Sequence, residues 1–214
     1  CWRPMRWAWL ARSWRATCGA CHDSAVAALR DGISASLTSG FHHAGTSAGR
    51  GFCTFNGLMV AALRLLGEGR VERVAIIDCD YHYGDGTQEI IDTQQLSDRV
   101  FHLSLGHRFR WHEHAGPYLD AMAALRDPLR DFDPGVILYQ AGADVHIDDP
   151  LGGLFTTEQM RLRDATLFTI ARELGIPVAW NLAGGYQMES DGSIPRVVEL
   201  HLNTFEEALR IAAS

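Results

Sequence analysis

The sequence predicts an α/β domain in which a mostly parallel β-sheet is flanked by helices. Short apolar runs typical of buried strands alternate with longer helical segments, an order that favours parallel strands joined by helices. At 214 residues with 47% hydrophobic side chains, the chain is long enough to bury a sizeable core. Its 21 glycines suit a loop-rich α/β protein better than a helical bundle.

The elements follow one another without an internal repeat or a low-complexity linker, which predicts one domain. The run at 71–80 is continuously apolar before its acidic end, which indicates a strand buried on both faces. Thr156 and Gln159 have the spacing of a capping box at a helix start. The predicted strands are 71–80, 100–105, 135–140 and 178–182, and the predicted helices are 25–32, 57–66, 87–92, 118–131, 156–174 and 204–214.

Composition argues against several kinds of partner. The net charge of -7 argues against nucleic-acid binding as the main activity. No apolar run is long enough to cross a bilayer, so no membrane partner is expected. The five cysteines form an odd, scattered set rather than a disulfide framework, which predicts a reducing cytoplasmic location.

Residues 1–22 differ from the rest of the chain. They hold four of the six tryptophans and four arginines, and the first acidic residue is Asp23. We interpret them as an extension outside the domain at 23–214, in preference to a cationic peptide lying on a membrane surface. Residues 18–22 also match the C-x-x-C-H pattern of covalent haem attachment. Because no export signal is visible, chance occurrence is the favoured interpretation.

Residues 76–87 bring several acidic side chains and a histidine to the end of a predicted strand. Asp80 and His82 are two positions apart, so they point to the same side of an extended chain and could hold a divalent metal. The stretch alone fits a surface turn equally well, since Asp and Gly are common turn residues. Asp144 and Tyr186 also follow strand ends, where ligands bind in parallel sheets, and this shared placement favours a site.

Five motifs, in order, resemble the histone deacetylase family, including its bacterial acetylpolyamine and acetoin-utilisation relatives. They are Gly40-Phe41-His42-His43-Ala44, Gly51-Phe52-Cys53-x-Phe55-Asn56, Asp78-x-Asp80-x-His82-x-Gly84-Asp85-Gly86-Thr87, Gln140-Ala141-Gly142-Ala143-Asp144 with Asp149-Pro150-Leu151-Gly152, and Leu182-Ala183-Gly184-Gly185-Tyr186. Each motif is weak alone, but the ordered set, over residues 25–205, is highly specific. The resemblance implies an arginase/deacetylase-like three-layer sandwich with a catalytic zinc.

The resemblance also implies two ion sites. Asp80, His82 and Asp144 match the zinc ligands, and three protein ligands leave positions open for water and substrate. The oxygen-rich donor set makes Fe²⁺ a possible alternative. A separate structural K⁺ or Na⁺ site is implied, largely through main-chain carbonyls, at Asp78, Asp80, His82, Ser104 and Leu105.

The implied reaction is hydrolysis of an acylated amine, such as acetyl-lysine or an acetylpolyamine, to acetate and a free amine. His42 and His43 match the histidines that bind and deprotonate the attacking water and protonate the leaving amine, with Asp78 and Asp85 as their partners. Tyr186 matches the hydrogen-bond donor to the scissile carbonyl. The positions implied to contact substrate are Phe52, as an aromatic wall, with Gly184 and Gly185.

The chain is shorter than the usual domain of this family. We therefore expect an N-terminally truncated domain, which could leave a sheet edge or apolar surface uncovered. A second aromatic wall is expected within 104–118, where Phe109 or Trp111 could serve. Two hypotheses follow: an active zinc-dependent deacylase, favoured by the intact motifs, or a truncated, non-catalytic homologue that binds a partner or folds poorly.

Overall fold

A five-stranded parallel sheet forms the centre of the fold. The computed structural model describes residues 18–106 and 108–214. The strands are β1 (Ile33–Ser36), β2 (Val74–Asp78), β3 (Val100–Ser104), β4 (Val136–Gly142) and β5 (Val178–Ala183). Their order across the sheet is β1-β5-β4-β2-β3, and each neighbouring pair is parallel.

Helices cover both faces of this sheet. They are α1 (Ala20–Asp31), α2 (Gly57–Gly67), α3 (Asp85–Thr93), α4 (Ala115–Ala123), α5 (Arg126–Phe132), α6 (Thr157–Leu174) and α7 (Pro195–Ala212). One apolar cluster joins the sheet to α1, α2 and α3, and a second joins it to α4, α5, α6 and α7. The predicted three-layer α/β fold is therefore confirmed.

Strand β2 shows why the apolar run predicts burial on both faces. Val74 and Ile76 belong to one apolar cluster, whereas Ala75 and Ile77 belong to the other. Successive side chains of a strand point to opposite faces, so a central strand between two helical layers needs apolar residues at every position.

Helix α6 starts where its sequence predicts. Thr156 Oγ1 accepts a hydrogen bond from Gln159 N at 3.3 Å, and Gln159 Oε1 accepts one from Thr156 N at 2.9 Å. These two bonds form the predicted capping box, which satisfies backbone donors that the first turn leaves free.

Several element boundaries differ from the sequence-based prediction. Strand β1 was not predicted, because its Ile-Ser-Ala-Ser sequence is short and partly polar, as an edge position permits. The helix expected at 118–131 is instead the pair α4 and α5. The last helix begins at Pro195 rather than at 204, and proline suits the first helical position because its missing N–H is not needed there.

The predicted boundary between the N-terminal extension and the domain, at residues 22 and 23, falls inside a helix. Helix α1 begins at Ala20, and both Cys21 and His22 are buried. The tryptophans and arginines of residues 1–17 lie outside the described residues, so the interpretation of that segment as an extension stays a prediction. Within the described ranges, no helix combines the length and apolar character needed to cross a membrane.

Apolar side chains remain exposed along α7 and beyond β1. Val198, Leu202 and Leu209 are at least half exposed on α7, and Leu37 lies just past the end of β1. Soluble proteins seldom expose large contiguous apolar patches.

The stability of the fold should depend on His201, a largely buried residue of α7. Burial, together with the charge of Arg163, lowers the pKa of His201 to about 4. The neutral ring is thus favoured in the folded protein, and the unfolded chain binds the proton first as pH falls below about 6.5. Between pH 7 and 4.5, the wild type should lose about 2 kcal/mol more free energy of unfolding than His201→Gln. Urea titrations of both proteins at each pH measure this, and parallel losses would contradict it.

Candidate metal centre

The carboxyl edge of the parallel sheet collects the predicted site residues. β1, β2, β4 and β5 all end there, and each is followed by a segment carrying a polar or ionisable side chain. These residues are His42 and His43 after β1, Asp80 and His82 after β2, Asp144 after β4 and Tyr186 after β5. Asp78 is the last residue of β2, and Asp85 is the first of α3.

Three side chains direct donor atoms at one point. One ligand atom from each of Asp80, His82 and Asp144 lies within 4.8 Å of the other two. His82 Nδ1 is 2.9 Å from Asp144 Oδ2 and 3.2 Å from Asp80 Oδ1. One imidazole nitrogen and two carboxylate oxygens form a donor set that fits a divalent cation.

The electrostatics of these three residues also fit a cation. Burial, and then the charge of Asp80, raises the pKa of Asp144 to about 7. Hydrogen bonds to Asp144 and Asp80 raise the pKa of His82 to about 10. Asp80 and Asp144 are both buried, so they place two acidic groups where water cannot screen their repulsion. A bound cation would relieve that repulsion.

Backbone contacts fix the two carboxylates. Tyr81 N donates to Asp144 Oδ1 at 3.1 Å, and His82 N donates to Asp80 Oδ1 at 2.9 Å. Gly184 lies against Asp144 with a φ of +51°, and a Cβ at position 184 would be 2.3 Å from Asp144 Cγ. Only glycine combines that conformation with that approach.

Two histidine–aspartate pairs adjoin the triad. His42 Nδ1 is 2.8 Å from Asp78 Oδ2, and His43 Nδ1 is 2.6 Å from Asp85 Oδ1. The two imidazole centroids are 4.0 Å apart. Burial alone would lower the pKa of His42, but the charge of Asp78 and the hydrogen bond to it raise the value to about 9. His42 is buried, whereas His43 is partly exposed.

Tyr186 lies across from His82. Their ring centroids are 6.5 Å apart, and the Phe52 ring is 6.0 Å from that of Tyr186. Burial, followed by the charges of Asp80 and Asp144, raises the pKa of Tyr186 above its ordinary value, so its phenol is protonated at neutral pH.

A cavity of about 340 Å³ opens between these elements, lined among others by His42, Phe52, Asp80, Gly184, Gly185 and Tyr186. Phe52 is 85% exposed and has a φ of +62°. Within the described residues, the lining contains neither Phe109 nor Trp111. Phe109 packs on Tyr118 at 5.3 Å between ring centroids, and Trp111 is exposed, so neither supplies the expected second wall of this cavity.

Residues of the implied monovalent-cation site also lie together. Asp78 and Ser104 are opposite each other in the β2–β3 ladder. Leu105 N donates to Asp78 O at 3.2 Å, and Ser104 Oγ accepts from Gly84 N at 3.0 Å. K⁺ or Na⁺ binding at this loop stays a prediction.

Three supporting residues were given no role from the sequence. Gln140 Nε2 donates to Asp78 Oδ1 at 3.4 Å, and Asp149 Oδ2 accepts from Tyr186 N at 2.7 Å. Asn56 Nδ2 donates to Ala44 O and to Thr87 Oγ1, each at 3.0 Å. All three stand inside the five motifs, but their partners are distant in sequence or on the backbone, so spacing could not reveal them.

The fold and this site define a protein of the arginase/deacetylase class. The sequence model of the histone deacetylase domain matches residues 5–115 and 111–204. The chain therefore belongs to the histone deacetylase family.

Individual relatives agree with this assignment. Over 195 residues the chain is 30% identical to an uncharacterised protein of Picosynechococcus sp., covering 83% of this chain and 64% of that protein. Over 200 residues it is 30% identical to histone deacetylase 2 of Arabidopsis thaliana, covering 82% of this chain and 50% of the relative. The chain thus spans between half and two thirds of the length of these relatives.

Solved structures share the fold. The acetylpolyamine aminohydrolase from Burkholderia pseudomallei matches with a TM-score of 0.66 and 25% identity, over 88% of this chain and 61% of that one. The HDA15 HD domain matches with a TM-score of 0.66 and 23% identity, over 91% of this chain and 67% of that one, and this likeness concerns the fold alone.

Removing one carboxylate tests the metal centre. Asp144→Asn should weaken Co²⁺ binding by more than about 100-fold, because it removes a buried anionic donor. Asp148→Asn is the matched control, since the Asp148 side chain is 68% exposed and outside the triad. Calorimetric titration of both variants measures the affinities. Equal Co²⁺ affinity in the two variants would remove Asp144 from the ligand set.

Proposed function

We propose that this protein is a zinc-dependent deacylase that hydrolyses the amide of an acylated amine, releasing a carboxylate and a free amine. The observation that carries the proposal is the convergence of two histidine–aspartate pairs and a protonated tyrosine on the Asp80–His82–Asp144 triad. Metal-assisted hydrolysis of an amide needs a cation site, a group that carries protons and a hydrogen-bond donor to the developing oxyanion. The residues that we assign to these three roles all lie at the carboxyl edge of the sheet.

Asp80, His82 and Asp144 would hold the zinc, with His82 using Nδ1 and each aspartate a carboxylate oxygen. When bound, zinc supplies Lewis-acid polarisation of the scissile carbonyl and lowers the pKa of water. Fe²⁺ suits the same oxygen-rich donors, so both metals belong in the assay.

His42 and His43 would handle the protons. Each engages an aspartate through Nδ1, which orients the ring and leaves Nε2 available for proton transfer. His42 is buried with Asp78, so its environment favours a retained charge that stabilises the negative substrate oxygen. His43 is more exposed, as is Asp85, so we assign to His43 Nε2 the removal of a proton from the attacking water and its delivery to the leaving amine.

Tyr186 would donate its hydroxyl proton in a hydrogen bond to the substrate oxygen as negative charge develops there. Its raised pKa keeps that proton on the phenol at neutral pH. The Tyr186 main-chain N donates a hydrogen bond to Asp149 Oδ2 at 2.7 Å. Glycines at 184 and 185 keep the adjoining wall free of side chains. These features support an oxyanion donor fixed in place before substrate arrives.

The substrate class follows from the cavity and the relatives. Phe52 presents an exposed aromatic ring beside Tyr186 at the cavity rim, which suits the apolar part of an acyl-lysine or acylated polyamine chain. One structural neighbour is an acetylpolyamine aminohydrolase, and named relatives are histone deacetylases. We therefore propose acetyl-lysine and acetylated polyamines as the first substrates to assay. We also propose a cytoplasmic location, on the separate ground of the scattered cysteines.

Tyr186→Phe tests the oxyanion role. It should lower kcat about 100-fold or more while zinc stays bound, because one preorganised donor is lost. Tyr118→Phe is the control, since that tyrosine packs on Phe155 in the core. Steady-state hydrolysis of an acetyl-lysine reporter, with metal analysis of each protein, measures the effect. Full turnover in Tyr186→Phe would refute the assignment.

His43→Ala tests proton transfer. Turnover should fall about 100-fold to 10,000-fold without loss of zinc, because His43 carries a proton and is not a ligand. The same assay distinguishes an active deacylase from a non-catalytic homologue. Folded, zinc-loaded wild type that hydrolyses neither acetyl-lysine nor acetylpolyamine reporters would favour a binding protein instead.

A further inference from the structure

A buried arginine that has no part in the proposed reaction lies beneath the metal centre. Arg163 belongs to α6 and is 0% exposed. Its Nε donates to Asp164 Oδ1 at 2.8 Å. Its Nη1 donates to two main-chain carbonyls, Gly142 O at 2.7 Å and Cys79 O at 3.3 Å. A fully buried guanidinium is costly to desolvate, so its contacts call for an explanation.

Those two carbonyls lie where β2 and β4 leave their common ladder. The ladder reaches Cys79, whose N–H donates to Gln140 O at 3.0 Å. Beyond that bond, Cys79 O and Gly142 O both accept from Arg163 Nη1. One guanidinium nitrogen thus joins the ends of the two strands.

Each joined segment carries a predicted metal ligand. Asp80 directly follows Cys79, and Asp144 comes two residues after Gly142. A Cβ at position 142 would be 2.5 Å from Asp80 Cα, so these backbones are already in close contact. We propose that Arg163 is a positioning residue that fixes the spacing of Asp80 and Asp144, and through it the geometry of the metal site. This inference rests on the metal site of the proposed function.

Arg163 is itself held in place by a second set of bonds. Asp164 accepts hydrogen bonds from the Tyr139 hydroxyl and, through Oδ2, from Thr204 Oγ1 at 2.6 Å. Tyr139 belongs to β4 and Thr204 to α7, so the network joins the sheet to two helices. Arg163 Nη2 has no hydrogen-bond partner among the described residues, which fits a role in geometry better than an optimised ion pair.

The test compares two variants of Arg163 with a control in the same network. Arg163→Lys keeps the charge but loses the planar set of guanidinium N–H donors. Arg163→Met removes both the charge and the donors. Thr204→Val removes a hydrogen bond to Asp164 without touching either carbonyl contact. Each metal-free protein is assayed for its free energy of unfolding, for Zn²⁺ affinity against a chromophoric chelator, and for the visible spectrum of its Co²⁺ form.

A positioning role predicts that Zn²⁺ binding weakens about 10-fold in Arg163→Lys and about 100-fold in Arg163→Met, with an altered Co²⁺ band intensity. Thr204→Val should lose stability yet keep the wild-type affinity and spectrum. Folded Arg163→Lys with wild-type affinity and spectrum would overturn the inference. Wild type that binds no Zn²⁺ would instead overturn the proposed function.

A measurement on the wild type decides the case in which neither Arg163 variant folds. The nitrogen resonances of the Arg163 guanidinium should shift when Zn²⁺ is added, because Nη1 donates to the main chain of both segments that carry the proposed ligands. Unchanged resonances on saturation with Zn²⁺ would overturn the inference.

Discussion

The concentration of buried carboxylates at the carboxyl edge is the constraint on which the site depends. Asp78, Asp80 and Asp144 are all buried, and each must have its charge compensated there. Asp78 is compensated by His42 and by two donors to its Oδ1. Asp80 and Asp144 have His82 and main-chain N–H groups instead, so a further positive charge would be most favourable between those two.

Close backbone packing makes that arrangement possible. The backbone packs so closely around the two carboxylate ligands that side chains are excluded at Gly142, Gly152 and Gly184, where a Cβ would lie within 2.5 Å of Asp80 or Asp144 atoms. Glycine at these positions costs free energy of folding, because glycine loses more backbone entropy on folding than other residues. Here they hold the carboxylates together beside the cavity, which links the glycines of the motifs to the proposed chemistry.

The two histidine–aspartate pairs show how burial distinguishes similar residues. Both rings engage an aspartate through Nδ1, yet His42 is enclosed and His43 borders solvent. Burial alone would raise the pKa of Asp85, but the hydrogen bond from His43 and the charge of Arg50 lower it below its ordinary value. Adjacent positions in the sequence therefore lie in different electrostatic environments, which is a basis for different roles.

The α/β layers, four of the five strands and the placement of polar residues at strand ends could be predicted from the sequence, because apolar periodicity and strand-end placement are local patterns. It could not show β1, whose partly polar sequence is stabilised only by pairing with β5, nor the start of α7 at Pro195. It also could not assign Gln140, Asp149 or Arg163 to the site. These three residues could be assigned only from the folded protein, because their hydrogen bonds join segments that are distant in sequence, and residue spacing does not predict such contacts.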